Sequence, residues 1–530
     1  MTDRIPAPAG VHVTTHTHSL PPIPMLPAYQ ALAERFGPDQ VYLLESTAGP
    51  VRDRRYQFVG FGALLTLSVT DGEVHVAGLP ALCQLLLDRA ESLLVAPSLA
   101  SDGGGDSASG SGSSSASASA SDTEHRLRLR TPQDLWPLLR TAQATFDAQG
   151  SADRFRFGFL GYFGYDTVRY IEELPRLIDR RPALPDVQIV LHQGCVISDL
   201  EQHTTDLVLH ESAHWRPLDE GALACLLRRS EHTHPEPSDD AFPDAFPDSF
   251  LDSLPEATVI DDTEPEVFAA DVERCLKHIA VGDIYQVQIG HELAIRSAAD
   301  PVDVYRRLRR RNASPYMYLA GIGGQRVIGA SPELFVRVEG NTVTMRPIAG
   351  TLPQTGEDDG AGALRLSSDP KEIAEHTMLV DLCRNDIGRI SRPDTLQVPD
   401  RLTVERYSHV LHLVSTVVGE AEPDEDAFGI IAALFPAGTM TGTPKIRAME
   451  IIESVERSRR GLYAGALGLI DVGGYTNLAL CIRTLFHHDG VFRTRASAGI
   501  VADSRPDAEW RETLAKMSAA HWAVTGRELL

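Results

Sequence analysis

Two low-complexity segments divide this chain of 530 residues and limit how it can fold. Residues 101–122, SDGGGDSASGSGSSSASASASD, contain only Ser, Gly, Ala and Asp, and residues 232–256 are rich in Pro and Asp. Segments of such composition bury too little apolar surface to offset the entropy lost on folding. We predict an amino-terminal region at 20–230 with a disordered Ser/Gly/Ala insertion at 101–122, an acidic Pro-rich linker at 231–264 and a compact region at 265–530.

The composition outside these segments is that of a globular protein, since 43% of all residues are hydrophobic and 23% are charged. A formal net charge of −24 argues against nonspecific binding to nucleic acid or to an anionic membrane surface. Six cysteines occur without a CxxC pair, which favours reduced thiols in a cytosolic protein. No apolar run is long enough to span a bilayer, and none marks a signal peptide. We therefore predict a cytoplasmic location.

Long strand-like and helix-like runs alternate in the chain without a strict βαβ order. Runs with aromatic and β-branched residues predict strands at 56–69, 326–338 and 463–472. Amphipathic runs predict helices at 265–282, 371–390 and 444–461. Such a mixture predicts an α+β protein with large sheets.

Two pairs of carboxylates suggest a site for a hard cation. Glu372 and Glu375 are three residues apart on one predicted helix, so both side chains face the same way. Glu509 and Glu512 repeat this spacing after Pro506, a residue that favours a helix start. Two such helices can hold Mg²⁺, which takes few carboxylates, keeps waters and binds substrate oxygens. The alternative, a solvated acidic face on each helix, stays open.

Several loops are suited to an anion, although each also fits an ordinary turn. FPAGTMTGTPKIRAM (435–449) opens a helix with a Gly/Thr loop, whose backbone N–H groups can bind an anion. Gly350 and Thr351 follow a strand-like run, and ASAGIVADS (496–504) combines small residues with an apolar run. His412 lies among apolar residues, where its pKa range permits proton transfer but a buried structural role is equally consistent.

The order of these motifs is more specific than any one of them. RPIAGT, KEIAEHTMLVDLCRNDIGRI, ERYSHVLHLVS, FPAGTMTGTPKIRAMEIIE, GLYAGALG, CIRT and AGIVADSRPDAEWRET occur in this order between residues 346 and 513. Together they resemble the chorismate-utilising enzyme family and, within it, anthranilate synthase component I. The amino-terminal half matches more sparsely, through YLLES, RYQFVG and GFLGYFGYD. The resemblance implies two stacked, mainly antiparallel β-sheets with helices on the outside.

The resemblance also implies roles for particular residues. It places the metal ligands for Mg²⁺ at Glu375 and Glu512, with Glu372 and Glu509 beside them in the catalytic site. It places proton transfer at His412 and puts Thr439 in the same pocket. The chorismate-binding positions that it implies are Gly350, Thr351, Tyr463, Arg483, Ser497, Ala498, Gly499 and Lys516. Ser497 departs from the family pattern, in which glycine is usual, and Leu352 and Gln354 stand where arginines are common.

Two positions distinguish the members of this family. Water-using relatives carry a lysine where this chain has Gln286, which cannot act as a base, so ammonia is the expected nucleophile. Aminodeoxychorismate synthases typically have a nucleophilic lysine where this chain has Ala349. We therefore predict an anthranilate synthase component I, which aminates chorismate and eliminates pyruvate in the first step of tryptophan biosynthesis.

Three alternatives remain open at this stage. An aminodeoxyisochorismate synthase would stop before pyruvate is lost and would share most of the site. An aminodeoxychorismate synthase component I without the usual lysine is the second alternative. The third is a non-enzymatic tryptophan-binding protein, which the retained set of acidic residues, His412 and Arg483 disfavours.

A partner subunit and an inhibitor are also expected. No cysteine lies in a Gly-flanked nucleophile elbow, so we predict a separate glutamine amidotransferase subunit (component II) as the source of ammonia. YLLES and SPYMY resemble the feedback site of the family, which implies tryptophan binding by Ser46, Pro315, Tyr316 and Met317. Gln57 and Ala313 depart from the usual residues near this site.

Overall fold

The computed structural model describes residues 10–96, 123–178, 184–234, 254–353, 359–407 and 410–530. The predicted insertion at 101–122 lies outside these residues, as does most of the predicted linker. The described strands are β1 Val11–Leu20, β2 Val41–Glu45, β3 Tyr56–Thr70, β4 Glu73–Gly78, β5 Leu94–Val95, β6 Thr123–Leu129, β7 Phe146–Ala148, β8 Gly158–Phe163, β9 Val187–Asp199, β10 Thr204–Glu211, β11 Ala257–Asp261, β12 Gln286–Ser297, β13 Tyr316–Ile322, β14 Gln325–Ser331, β15 Leu334–Glu339, β16 Thr342–Met345, β17 Ile348–Pro353, β18 Gln397–Tyr407, β19 Val410–Glu420, β20 Gly442–Thr443, β21 Ala466–Asp471, β22 Thr476–Leu480, β23 Thr484–His488 and β24 Val491–Ile500. The described α-helices are α1 Met25–Phe36, α2 Pro80–Ala90, α3 Leu135–Ala144, α4 Glu220–Thr233, α5 Pro265–Ala280, α6 Pro301–Arg311, α7 Asp359–Ser368, α8 Pro370–Gly388, α9 Ala427–Leu434, α10 Lys445–Val455 and α11 Pro506–Thr525.

The strands pair almost entirely antiparallel, and long bent strands connect the two layers of the fold. β3 pairs with β9 along nearly its whole length, while its first half also pairs with β2 and its second half with β4. The register of β3 against β9 shifts between Ala63 and Leu65, next to Gly62 with a φ of 69°. A bulge of this kind bends a strand and increases its twist. β3 can therefore belong to one layer through its first half and to the other layer through its second half.

Apolar clusters show how the layers and helices are stacked. One cluster, which includes Tyr42, Tyr162 and Tyr318, contains strand and loop residues only and lies between facing strands. Two larger clusters join helices to the outer faces: one contains α1, α4, α6 and α11, and the other α2, α3, α8 and α9. The predicted α+β class with helices outside is therefore confirmed. No helix in the part of the chain described here is long and apolar enough to cross a membrane.

The sheet also crosses the predicted boundary between the two regions. β2 of the amino-terminal region pairs with β13, and β8 pairs with β21. The predicted linker at 231–264 is folded at both ends, because α4 continues to Thr233 and β11, rich in β-branched residues, pairs with β12. The strand predicted at 326–338 is two strands, β14 and β15, which are separated at Pro332 and Glu333.

Candidate active site

The two predicted carboxylate pairs lie on helices whose starts are well defined. α8 begins after Asp369, whose carboxylate accepts hydrogen bonds from the N–H groups of Lys371 (2.9 Å) and Glu372 (3.4 Å). Pro370 and Pro506 occupy the first position of α8 and α11. The carboxylates of both pairs therefore lie in the first two turns of their helices, whose starts are fixed by Asp369 and Pro370 in α8 and by Pro506 in α11.

The structure brings these two pairs close enough to interact electrostatically, which the sequence alone could not establish. Burial raises the pKa of Glu375, and the negative charges of Glu372 and Glu512 raise it further. Burial also raises the pKa of Glu372 and of Glu509, and in each case Glu512 adds to the effect. Lys371 and Lys516 act against this rise, but burial and the mutual repulsion of the carboxylates outweigh them.

The mutual repulsion of these carboxylates fits a bound cation. Glu512 is paired with Lys516 at 2.6 Å, while Glu375 has no ion pair within the described residues. The described residues contain no group of three or more His, Cys, Asp or Glu side chains that could hold a metal. Mg²⁺ needs no such cage, because it binds through one or two carboxylates together with water and substrate oxygens. Glu375 and Glu512 as its ligands remain a prediction.

Gly350 connects the carboxylates to His412. Gly350 has a φ of 63°, and a Cβ at this position would lie 2.9 Å from Oε2 of Glu372. Its carbonyl oxygen accepts a hydrogen bond of 2.8 Å from Nδ1 of His412. Thr351 is placed opposite His412 by the pairing of β17 with β19. Gly350 is thus next to both Glu372 and His412.

The protonation of His412 follows from this arrangement. A carbonyl oxygen only accepts hydrogen bonds, so Nδ1 carries the hydrogen in the bond to Gly350. Burial lowers the pKa of His412 to about 4, and the positive charge of Arg483 lowers it as well. The hydrogen bond to Gly350 acts in the opposite direction and raises the pKa. The imidazole is therefore neutral near pH 7, with Nε2 as its basic nitrogen. It can accept a proton but is a poor donor.

Arg483 provides a positive charge that acts on His412 and lies within electrostatic reach of Glu512 and Tyr463. Its φ of 52° is a left-handed conformation that is uncommon for a residue with a side chain and is often found at functional sites. Burial lowers its pKa, although Tyr463 and Glu512 act in the opposite direction. Within the described residues, Arg483 forms no ion pair with a carboxylate. A half-buried guanidinium without an ion pair is suited to bind a carboxylate of the substrate.

Strand β24 contributes the neighbouring wall of the pocket. Ser497 is hydrogen-bonded to the Tyr463 hydroxyl, and its carbonyl oxygen accepts a bond of 2.9 Å from Nζ of Lys516. A Cβ at Gly499 would lie 2.8 Å from Nε2 of Gln286 and 2.9 Å from Nε2 of Gln288. The side chain of Ala498, by contrast, lies in an apolar cluster with Ile289 and Ile452. Ala498 can therefore contact a substrate only through its backbone.

Glu333 is a candidate functional residue that the sequence analysis missed. Oγ1 of Thr439, a residue that the resemblance places in the site, donates a hydrogen bond of 3.5 Å to Glu333 Oε1. Burial raises the pKa of Glu333 to about 8, while the Thr439 bond and the charge of Lys516 act against this rise. A carboxyl group with such a pKa is protonated near pH 7 and can act as an acid. The signal in the sequence was a proline followed by an acid inside a strand-like run.

The predicted tryptophan site is a separate cavity. Ser46, Pro315, Tyr316 and Met317 all line a cavity of about 570 Å³. The Ser46 hydroxyl donates a hydrogen bond of 2.7 Å to the carbonyl oxygen of Pro315. The structure therefore brings the four predicted residues together. That tryptophan binds there remains a prediction.

Comparison with known proteins places the fold and the pocket in one family. The family model described as chorismate binding enzyme matches residues 99–521. This chain belongs to the chorismate-utilising enzyme family. It is 66% identical over the full length of both chains to the 2-amino-4-deoxychorismate synthase of Streptomyces globisporus. It is 43% identical to anthranilate synthase component 1 of Streptomyces coelicolor, over 71% of this chain and 74% of the other.

Solved structures agree on the fold. Anthranilate synthase component I from Streptococcus pneumoniae superposes with a TM-score of 0.61 at 28% identity, covering 88% of this chain and 92% of the other. The menaquinone-specific isochorismate synthase of Escherichia coli has a TM-score of 0.64 at 16% identity, covering 97% of this chain and 95% of the other. The second similarity concerns the fold alone.

The prediction of an anthranilate synthase is wrong in the light of these relatives. A full-length relative at 66% identity is a 2-amino-4-deoxychorismate synthase, whereas the anthranilate synthase from Streptomyces coelicolor is 43% identical. The physical reason is that the motifs used for the prediction serve steps common to both reactions: binding a dianion, holding a cation and using ammonia. They carry no information on whether the enolpyruvyl group subsequently leaves.

Proposed function

We propose that this chain aminates chorismate with ammonia and keeps the enolpyruvyl ether, giving 2-amino-4-deoxychorismate. The observation that carries the proposal is the full-length identity of 66% to an enzyme named for this product. The name places the new amino group next to the ring carbon that bears the carboxylate, and it removes the distant hydroxyl. This is the product expected when the reaction stops before pyruvate is lost, as in the first alternative above.

The substrate is a dianion, and the two ends of the pocket are matched to it. Arg483 would bind the enolpyruvyl carboxylate, and the ring carboxylate would lie towards the four glutamates. Glu375 and Glu512 would hold Mg²⁺, whose charge would neutralise the ring carboxylate and so favour attack of a nucleophile at the adjacent carbon. Gln286, which is 2% exposed beside Gly499, offers a carboxamide to neutral ammonia in place of a lysine base.

Glu333 is the proposed acid for the departing hydroxyl. Ammonia forms a bond to the ring carbon next to the carboxyl-bearing carbon, the two double bonds shift, and the distant C–O bond breaks. The leaving oxygen takes a proton from Glu333 and departs as water. Ammonia brings three protons and the product amine keeps two, so one proton is released for the one that Glu333 gave up, and the count balances. His412, neutral near pH 7, is suited to accept that third proton.

The reaction product tests the proposal directly. We expect purified protein with Mg²⁺, chorismate and ammonium to form an amine that retains the enolpyruvyl group, as shown by mass spectrometry. We expect neither anthranilate fluorescence nor pyruvate, because the ether is kept. Anthranilate and pyruvate formed in step with chorismate consumption would reject the proposal, and an amine on the ring carbon that bore the hydroxyl would indicate a different regiochemistry.

A separate glutaminase subunit is the second part of the proposal. Neutral ammonia is scarce near pH 7, so a protein that uses it needs a local source. Five of the six cysteines are buried, and the exposed one, Cys225, lies on α4. Burial raises the pKa of Cys195, Cys275 and Cys481, which disfavours the thiolate needed to hydrolyse glutamine.

We therefore expect this chain alone to use ammonium but not glutamine, and to gain glutamine-dependent activity when a glutamine amidotransferase subunit is added. The rate with ammonium serves as the internal control for active protein. Full glutamine-dependent activity of this chain alone would contradict the prediction. Tryptophan inhibition and a cytoplasmic location also remain predictions, and no relative reported above bears on either of them.

A further inference from the structure

A short chain of hydrogen bonds crosses the pocket wall next to Arg483. The Tyr463 hydroxyl and Oγ of Ser497 are 2.5 Å apart, and Ser497 Oγ is 3.1 Å from Oε1 of Gln288. The backbone N–H of Ser497 donates a further bond of 2.9 Å to the Tyr463 hydroxyl. Ser497 is 1% exposed and Tyr463 is 7% exposed, so the chain is shielded from water.

The direction of the protons in this chain follows from the acceptors. Oε1 of Gln288 can only accept, so the single hydrogen of the Ser497 hydroxyl is donated to it. Ser497 Oγ must then accept the hydrogen of Tyr463. The Tyr463 hydroxyl also accepts from the Ser497 N–H, so its one hydrogen is directed at Ser497 and away from a substrate.

Neighbouring groups hold this arrangement in place. The guanidinium of Arg460 lies 5.7 Å from the centre of the Tyr463 ring and donates a hydrogen bond of 2.7 Å to the carbonyl oxygen of Gln288. Lys516 fixes the carbonyl oxygen of Ser497. Both partners of the Ser497 hydroxyl are therefore positioned independently of it. Removing the hydroxyl would release the Tyr463 hydrogen without removing Tyr463 from the pocket.

We infer that Ser497 determines the product by withholding the Tyr463 hydrogen from the enolpyruvyl group. This inference rests on the proposed function, in which that group is retained. Tyr463 and Arg483 lie on the same side of the pocket, where Arg483 would bind the enolpyruvyl carboxylate. A hydroxyl that donates to this carboxylate would draw electrons from the ether and make enolpyruvate a better leaving group. A hydroxyl that donates to Ser497 cannot do so.

The reaction that Ser497 suppresses is an elimination from the aminated product. A base, for which neutral His412 is suited, removes the proton from the ring carbon that carries the amino group. That electron pair completes the aromatic ring as the neighbouring C–O bond breaks. The departing enolpyruvate takes up one proton and becomes pyruvate, leaving anthranilate. No oxidant or reductant is needed.

Ser497→Ala tests the inference because it removes the hydroxyl and little volume. A hydrogen bond to a charged group contributes about 1.5–3 kcal/mol, so we expect the ratio of anthranilate to 2-amino-4-deoxychorismate to rise about 10- to 100-fold. The same variant should convert purified 2-amino-4-deoxychorismate to anthranilate and pyruvate faster than the wild type does. Ser497→Gly, tested in parallel, should behave in the same way.

Two further variants separate this effect from general damage. Ser497→Ala combined with Tyr463→Phe should lose the gained anthranilate, because the released hydrogen is no longer there. Thr494→Val removes a buried hydroxyl from the opposite face of β24 and should leave the product ratio unchanged. An unchanged ratio in both active Ser497 variants would overturn the inference. Anthranilate as the main wild-type product would instead overturn the proposed function.

Discussion

Glu333→Gln is expected to reduce the amination turnover by about 10²- to 10⁴-fold, the usual contribution of a general acid. Glutamine has nearly the shape of glutamic acid but cannot release a proton at neutral pH. The hydrogen bond from Thr439 can still form, so the pocket should keep its structure. Because the affected step is the departure of the hydroxyl, kcat should fall much more than the affinity for chorismate.

The pH dependence identifies Glu333 more specifically than the rate alone. Its pKa is raised to about 8, so the acid form dominates below pH 8 and declines above it. We expect the wild-type rate, expressed per concentration of neutral ammonia, to fall as the pH rises through about 8. Glu333→Gln should lack this alkaline decrease. Its remaining rate should be independent of pH in that range.

Thr439→Val is the matched variant for this experiment. The Thr439 hydrogen bond lowers the pKa of Glu333 because it stabilises the carboxylate. Its loss should therefore move the alkaline decrease to higher pH while the enzyme stays active. Full activity of Glu333→Gln, or an alkaline decrease unchanged by Thr439→Val, would show that another group donates the proton.

The position of Glu333 also illustrates what the sequence could and could not predict. The strand-like run at 326–338 was correctly recognised as extended, but its interruption at Pro332 and Glu333 was not. A buried acid inside a run that reads as one apolar strand conflicts with that pattern, and such conflicts are often found at functional sites. Burial and the contact with Thr439 depend on the tertiary fold, so no local pattern could supply them.

For the two carboxylate pairs, the sequence could predict the helical placement of each pair but not the distance between the pairs. Their spacing of three residues was sufficient to place each pair on one face of a helix. That Glu512 raises the pKa of Glu372 and Glu375 depends on how α8 and α11 are brought together by the strands between them. The product was least predictable, because the chain Tyr463–Ser497–Gln288 joins three segments that are far apart in the sequence.

Glu375→Gln should have opposite effects on stability with and without Mg²⁺. In the metal-free protein the variant should melt at a higher temperature than the wild type. Glu375 is half-buried, and its charge is opposed by burial and by the negative charges of Glu372 and Glu512, so neutralising it removes a repulsion. With Mg²⁺ the order should reverse, because the variant has lost a ligand. Saturation at a hundred times the Kd stabilises a folded protein by about 2.7 kcal/mol.

The turnover rate should depend on whether Mg²⁺ is bound and not on the melting temperature of the variant. A metal that neutralises the substrate carboxylate supplies several kcal/mol to the transition state, so removing Mg²⁺ with a chelator, or introducing Glu375→Gln, should lower the rate by on the order of 10³-fold. Asp381→Asn is the matched control, because it removes the same charge from an exposed turn of α8, where Asp381 pairs with Arg384. It should change neither the Mg²⁺ response nor the rate substantially.

If Glu375→Gln kept the wild-type thermal response to Mg²⁺, Glu375 would not be a ligand. Its effect on the rate would then have to arise from the electrostatics of the pocket, because the loss of a carboxylate beside Glu372 and Glu512 alters the field at the substrate even without a change in metal binding.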